Sequence, residues 1–345
     1  PRRISLIIED LPLQALDLEE ESKGPPSHIA FKDGKPTEAS LGFARRLKIE
    51  SNQLTVRDTA KGSFVYGKTT KKGEPSVSIL RNLIPLWISV LQGRRFMRWG
   101  NNDYRFSRPI RWIVSLIDDE LIPISINNTD PNIKSSKLSR GHRLTINDVH
   151  IESALEYKST LQKSGVIVDR KNRMQIIHDL IYKASDELNS SPDLPLNLLN
   201  ELTDLVESPS LIQGTIDSIF LDLPPEVLTT VMKVHQRYVP LFMQSAKLDP
   251  LLLNSRNTLL SSFLCICNSI KSSENIVRVG NERVLRARLS DAEFFFKSDQ
   301  AKSSLERAKN LDNVVFADGL GSLLDRVSRI TWLTKYLAHK FRFDD

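Results

Sequence analysis

At 345 residues the chain can bury a large core and should hold two or three domains. Hydrophobic residues at 40% and charged ones at 26% make the composition of an ordinary soluble globular protein, with no low-complexity segment and no repeat of about 20 to 50 residues. The net charge of +6, with a pI near 9.2, suits an anionic partner without requiring one, and no apolar run approaches the ~20 residues of a membrane-crossing helix.

Arg3–Leu11 alternates and is β-branched enough to predict a strand closed by Pro12, followed by a loop over Glu19–Ser27. Lys32-Asp33-Gly34-Lys35 reads as a turn. Thr37 is placed to cap a helix over Glu38–Leu47, with Ala39, Phe43 and Leu47 on one face. Leu54–Arg57 and Ser63–Thr69 predict a hairpin turning at Ala60-Lys61-Gly62. Pro75 opens a helix through Leu91 whose apolar residues recur at three and four, with Gly93 at a left-handed stop. Ile110–Ile117 predicts a near-continuous apolar strand, reversed at Asp118-Asp119 into Leu121–Ile126.

From Asn147 to about Asn189 the pattern is helix, short strand (Val166–Val168), helix. Leu194–Val206 is mixed, Leu211–Leu221 is strand-like, and Pro224–Lys233 is a short helix. His235–Met243 and Leu259–Asn268 predict strands, Ser273–Lys297 a long helix and Ser322–Lys340 another. Helices and strands mix without a regular βαβ beat, which predicts an α+β fold of mostly antiparallel sheets with packed helices. The pattern is already strand-like at Pro1 and has just been helical at Asp345, so both ends are expected to be cut.

Chemistry concentrates in Arg94–Trp112, RRFMRWGNNDYRFSRPIRW. Arg94, Arg95, Arg98, Arg105, Arg108 and Arg111 alternate there with Phe96, Trp99, Tyr104, Phe106 and Trp112, against the single acid Asp103. Guanidinium groups fork onto phosphate and rings stack on unpaired bases, so folded RNA is a fitting target. The same residues could equally cap carbonyls inside a compact corner. Because Arg111 and Trp112 feed the apolar strand, they are expected to be structural, with Arg94–Arg108 exposed. Ser139-Arg140-Gly141-His142-Arg143 could hold phosphate or a base around its glycine, or be a solvated turn. In His235-Gln236-Arg237-Tyr238, a strand would put His235 and Arg237 on one face. Along the helix from Ser273, the residues Val277, Val284, Leu285, Leu289, Ala292, Phe295 and Phe296 form a wide apolar face. Arg283 and Arg286 fall opposite it, available to phosphate. Arg278 and Arg288 fall on or beside it, where buried charge demands partners such as Glu282 and Asp291.

No GxxxxGK(S/T) phosphate loop, HExxH or GxSxG is present, Gly319–Gly321 reads as a turn, and His339 is followed by Lys340 rather than by aspartate. No catalytic residue and no metal ligand set is expected. Cys265 and Cys267 alternate in the apolar run FLCIC, where a disulfide would be strained, and read as buried, reduced thiols of a cytosolic protein.

Several segments together resemble the beta subunit of bacterial tetrameric glycyl-tRNA synthetase. They are PRRISLII, KGPP, FKDGKPTEASLGFARR, RRFMRWGNNDYRFSRPIRWIVSL, SRGHR, LVESPSLIQG, LPPEVLTTVMKVHQRYVPLF, GNERVLRARLSDAEFFFKSD and VVFADGLGSLLDRVSRI, in order from Pro1 to about Ile330. Val239 departs from a usual aromatic and Phe296 from a frequent tryptophan.

The resemblance implies a cytoplasmic subunit that grips glycine tRNA within an alpha2beta2 tetramer. The alpha subunit would carry the class II site for ATP, magnesium and glycine. No cofactor is expected in this subunit, and neither membrane nor DNA as partner. It also implies an N-terminal α+β body over residues 1–143, a helix-rich insertion over 144–210 and a second part of the body over 211–318. Residues 319–345 would begin a helical HD-like domain. The tRNA-contact candidates are Arg94, Arg95, Arg98, Arg105, Arg108, Arg140, His142, Arg143, His235, Arg237, Arg283 and Arg286. Arg111, Arg278 and Arg288 are expected to be structural. The rival reading is a scaffold for the alpha dimer, with tRNA held mostly by a further C-terminal part. A metal phosphohydrolase lacks ligands at the right spacing.

Overall fold

The computed structural model describes residues 3–32, 34–59, 62–91, 93, 95–98, 105–126, 132–144, 148–244 and 254–343. It is an α+β protein of small antiparallel sheets and packed helices, in two compact units, Arg2–Ser164 and Gly165–Asp345.

In the first unit the Gly62–Lys71 strand lies between Leu18–Pro26 and Thr55–Thr59, antiparallel to both. The Glu38–Leu47 helix covers this sheet and buries Phe43 against Ala30 and Val65. Thr37 stands at its N-cap, but its hydroxyl donates to the carbonyls of Ile29 and Ala30 and leaves the first-turn amides uncapped. Ala39 is exposed, and Ser40 is buried in its stead. Phe31–Lys32 and Lys35–Pro36 pair across a turn with Gly34 at φ +76°, the left-handed region glycine enters freely. Asp33, Ala60 and Lys61 lie outside the described residues.

The Ser76–Val90 helix sets Val77, Leu80 and Ile84 against Leu11, Ile117, Ile122 and Ile124. It ends at Leu91, and Gly93 is not left-handed; its bare α-carbon lets the Phe96 ring lie close. Asp118, at φ +50°, turns Leu116–Ile117 back onto Glu120–Leu121, as expected at that position.

Four expectations for this unit fail. Arg3–Leu11 is in no strand, whereas Glu19–Ser27, read as a loop, falls largely within the Leu18–Pro26 strand. That edge strand is solvated along most of its length, so its ladder leaves no apolar alternation in the sequence. Of Ile110–Ile117 only Leu116–Ile117 is strand, with a bridge from Ile113 to Ser135, because an apolar run reports burial and not pairing. Residues 148–150 form a strand against 138–140 where a helix was expected, the helix following at Tyr157–Lys163.

The second unit is a three-layer sandwich. Its sheet runs Ser190–Pro192, Val239–Met243, Leu259–Cys267, Ser210–Thr215, each pair antiparallel. Successive side chains of Leu259–Cys267 point to opposite faces. Leu264 and Ile266 meet Ile177, Ile181 and Leu202 from the helices Arg170–Glu187 and Leu196–Leu205. Phe263 and Cys265 meet Leu285 and Leu289 from the Glu274–Gln300 helix, with Phe220, Leu228 and Met232. Val166–Val168 is not a strand; Ile167 instead donates its amide to Glu207 O at 2.8 Å. Leu194–Val206, read as mixed, is mostly helix. The apolar face of Glu274–Gln300 is narrower than expected, since Val284 and Phe295 are 46% and 66% exposed.

The Leu323–Phe341 helix starts at a capping box. Ser322 Oγ accepts from the Asp325 amide at 3.1 Å, and Asp325 accepts from the Ser322 amide at 2.8 Å. The Ser322 amide, with the Ser322 hydroxyl donating to the same carboxylate oxygen at 3.2 Å, holds the Asp325 carboxyl below the usual range. The helix buries none of its residues. No helix among the described residues is long and apolar enough to cross a membrane.

Gly214 pairs with Phe263 in the sheet, and a β-carbon there would strike the fully buried Phe263 ring. Gly214→Ala is therefore expected to destabilise the protein by about 1–3 kcal/mol through overpacking, read as a lower denaturation midpoint in urea. Arg170 forks onto Asp204 at 2.7 and 3.1 Å, and that hydrogen bond depresses the Asp204 pKa. Both side chains are about half exposed, so solvent screening limits the pair to roughly 0.2–1 kcal/mol. The contribution is complete above the unfolded aspartate value of ~3.9 and is lost as pH falls through the lower folded value. Asp204→Asn should thus lower the melting temperature at pH 7, and by progressively less as pH falls below about 3.9.

Candidate nucleic-acid interface

In the arginine stretch, Arg94, Trp99, Asp103 and Tyr104 lie outside the described residues. Met97–Arg98 and Arg105–Phe106 form a short hairpin ladder in which Arg98 stands opposite Arg105. Phe96 and Phe106 pack together with ring centres 5.2 Å apart, and Gly93 leaves room for Phe96. These two rings therefore brace the hairpin. Arg95, Arg98, Arg105 and Arg108 are all exposed around it. Arg111, expected to be structural, is exposed too, because the segment it precedes is irregular and not a buried strand.

Trp112 is the centre of a second cluster in the same unit. The guanidinium carbons of Arg3 and Arg140 lie 5.6 and 5.4 Å from its ring centre, within the reach of cation–π attraction. Arg3 also donates to Ser139 Oγ at 2.8 Å and to Arg140 O at 2.5 Å. The Leu138–Arg140 strand thus fixes the register of SRGHR, burying Ser139 and exposing Arg140. Arg143 is exposed on the turn that follows. His142 is corrected from a surface contact to an interior group: its side chain is 3% exposed, and its amide donates to Ser164 O at 2.9 Å. Neither ring nitrogen has a hydrogen-bond partner among the described residues.

In the second unit the predicted roles rearrange. Residues 231–236 form a π-helical turn continuing the Pro225–Thr230 helix, and Arg237 follows at φ +58°, so the HQRY segment does not share a strand face. His235 is exposed. Arg237 forks onto Glu201 at 3.2 and 3.1 Å and also donates to Val234 O, which makes it a clamp between elements. Tyr238 is buried, stacks on Phe263 at 4.6 Å, and has its hydroxyl pKa pushed up by burial.

On the Glu274–Gln300 helix, Arg286 forks onto Asp217 at 2.7 and 3.2 Å, while Glu282 accepts from both the amide and the hydroxyl of Thr215 at 2.9 Å. These contacts staple the helix to the end of the Ser210–Thr215 strand. Arg278 and Arg288 are exposed rather than buried. Arg278 donates to Asn275 at 2.8 Å, and Arg288 stands 4.0 Å from Asp291. Arg283 is exposed and makes no ion pair among the described residues. The narrower apolar face explains the exchange, because a helix position beside it returns to solvent once Val284 and Phe295 do.

Sequence reasoning missed Arg3, which lies far from Trp112 and Ser139 along the chain. It also missed the forks of Arg170 onto Asp204 and of Arg256 onto Asp222, at 2.6 and 2.9 Å. Such pairs leave no spacing signal, since their partners are 34 residues apart in both cases.

Comparison with known proteins adds the family. Residues 1–344 match the family model for the glycyl-tRNA synthetase beta subunit. The chain is 41% identical to the glycine–tRNA ligase beta subunit of Trichodesmium erythraeum, over 98% of this chain and 46% of that protein. It is 42% identical to that of Acaryochloris marina, over 100% of this chain and 47% of that protein. Against that of Bacillus subtilis it is 37% identical, over 100% of this chain and 49% of that protein. The chain thus spans about half the length of the curated relatives it matches. With the matched residues running from one end of the chain to the other, it belongs to the glycyl-tRNA synthetase beta subunit family.

Proposed function

We propose that this chain is an RNA-gripping body of a cytoplasmic glycine–tRNA ligase, acting without catalytic residues of its own. The observation that carries the reading is the exposed row of Arg95, Arg98, Arg105 and Arg108, in the unit that also exposes Arg140 and Arg143. Guanidinium groups neutralise acceptor-stem phosphates, and their planes offer stacking surfaces to the unpaired end. Arg283, and Arg94 outside the described residues, belong to the same reading. The terminal ribose is delivered to a partner alpha subunit, where ATP, magnesium and glycine react. Arg237 and Arg286 are assigned to the scaffold, because their forks are already filled by Glu201 and Asp217. The Leu323–Phe341 helix fits the first element of an HD-like helical domain.

A second reading, a scaffold for the alpha subunit, is favoured by exposed apolar side chains in the N-terminal segment: Ile4 at 66%, Leu6 at 70%, Leu13 at 67% and Leu16 at 87%. Gel filtration of the full-length subunit with alpha subunit, with and without tRNA, separates the two. A complex that forms equally without tRNA, and a beta subunit that fails to bind tRNA alone, would favour the scaffold.

Phosphate-led binding makes the logarithm of tRNA affinity fall linearly with the logarithm of salt concentration. Arg105→Glu with Arg108→Glu should weaken binding and reduce that slope by about one for each phosphate no longer neutralised, while adenylate formation by the alpha subunit continues. An unchanged dissociation constant in a folded variant would remove this hairpin from the interface. Arg286→Ala is the contrasting case: thermal melting should show a loss of about 0.2–1 kcal/mol, with tRNA affinity unchanged.

A further inference from the structure

The Leu259–Cys267 strand carries two thiols that RNA recognition does not use. Two residues apart on one strand face, their Sγ atoms stand 3.4 Å from each other. Their surroundings differ. Cys265 is 7% exposed within the core beneath the Glu274–Gln300 helix, whereas Cys267 is only partly buried. From that helix, Asn281 directs its side-chain amide at both sulfurs, 3.4 Å from Cys265 and 3.8 Å from Cys267. An amide N–H only donates, so it favours a sulfur that carries negative charge.

We propose that Cys267 and Cys265 form a reversible oxidation site for hydroperoxides, with Cys267 as the attacking and Cys265 as the resolving sulfur. The Cys267 thiolate attacks a peroxide oxygen, the O–O bond breaks, and the sulfur is oxidised to the sulfenic acid while the peroxide is reduced to water or an alcohol. Cys265 then attacks the sulfenic sulfur. The S–S bond forms, the S–O bond breaks, and the departing hydroxide takes the Cys265 proton and leaves as water. Two thiols become one disulfide, and two electrons pass to the peroxide.

Protonation follows the same division. The hydrogen bond from Cys265 lowers the Cys267 pKa, opposed by burial and aided by Asn281, while that hydrogen bond and burial raise the Cys265 pKa. A partly exposed thiol with a lowered pKa beside a second thiol is the arrangement in which sulfenic acids form and are resolved. A bridge between alternate residues of one strand is strained, so cellular dithiols reduce it readily and the oxidised form is transient.

The full-length protein, treated with hydrogen peroxide in the folded state and alkylated, is digested after Arg256 and Lys271 to release the peptide 257–271. Mass spectrometry is expected to find that peptide unalkylated and lighter by two hydrogens, and alkylated at both thiols after reduction with dithiothreitol. In Cys265→Ser, or Cys265→Ala should the first variant not fold, a dimedone adduct should accumulate at Cys267. Asn281→Leu should slow adduct formation by roughly threefold for each pKa unit that the Cys267 thiol regains, the loss of thiolate being partly offset by its greater nucleophilicity. Both thiols remaining alkylatable in the folded protein, or a dimedone adduct at Cys265 in Cys267→Ser as fast as at Cys267 in Cys265→Ser, would overturn the proposal.

Discussion

The alternation of one strand carries the second unit. Leu259–Cys267 has hydrogen-bonded neighbours on both edges and apolar side chains on both faces, so a change on either face reaches a different set of helices. Fully burying a leucine or phenylalanine side chain stabilises by roughly 1.5–3 kcal/mol, and this strand supplies Leu259, Phe263 and Leu264, each 0–1% exposed. The close approach of Phe263 to Gly214 follows from the same arrangement. The ring occupies the space a side chain on the neighbouring strand would have taken, and only glycine leaves it vacant.

Around this core, arginine does two kinds of work. Arg170, Arg237, Arg256 and Arg286 have both arms of the guanidinium fork on one carboxylate, and each joins elements distant in sequence. Arg95, Arg105 and Arg108 have no carboxylate on them among the described residues, and Arg140 faces an indole ring. The difference lies in what surrounds the residue and not in its type. A basic protein can therefore spend much of its arginine on its own architecture and still present a cationic surface to an anion.

Much of this was legible in the chain. The helices at 38–47, 76–90, 274–300 and 323–341 follow from three-and-four spacing of apolar residues between recognisable start signals, and the central strand follows from its apolar run. What was not legible involves pairing. The Leu18–Pro26 strand is solvated, and its place is set by the backbone of Gly62–Lys71 rather than by its own side chains. The fork of Arg286 onto Asp217 was not legible, because Asp217 belongs to a loop before a 3-10 turn, with no sequence signal to bring it to the helix. The glycine of SRGHR is compatible with a ligand site or a solvated turn, and the burial of His142 beside the strand pairing at 138–140 leaves no mark in the sequence. The cation row at 95–108 was legible as composition, and its hairpin geometry was not.

The strand order of the larger sheet has a bearing on how the chain is made. Ser190–Pro192 and Ser210–Thr215, the first two of its strands to be synthesised, occupy opposite edges and never touch in the ladder. Each must wait for a later partner, the first for Val239–Met243 and the second for Leu259–Cys267. The helices Arg170–Glu187 and Leu196–Leu205 therefore emerge from the ribosome before the apolar surface they will cover. Until the inner strands arrive, the two helices have only each other against which to bury their apolar faces.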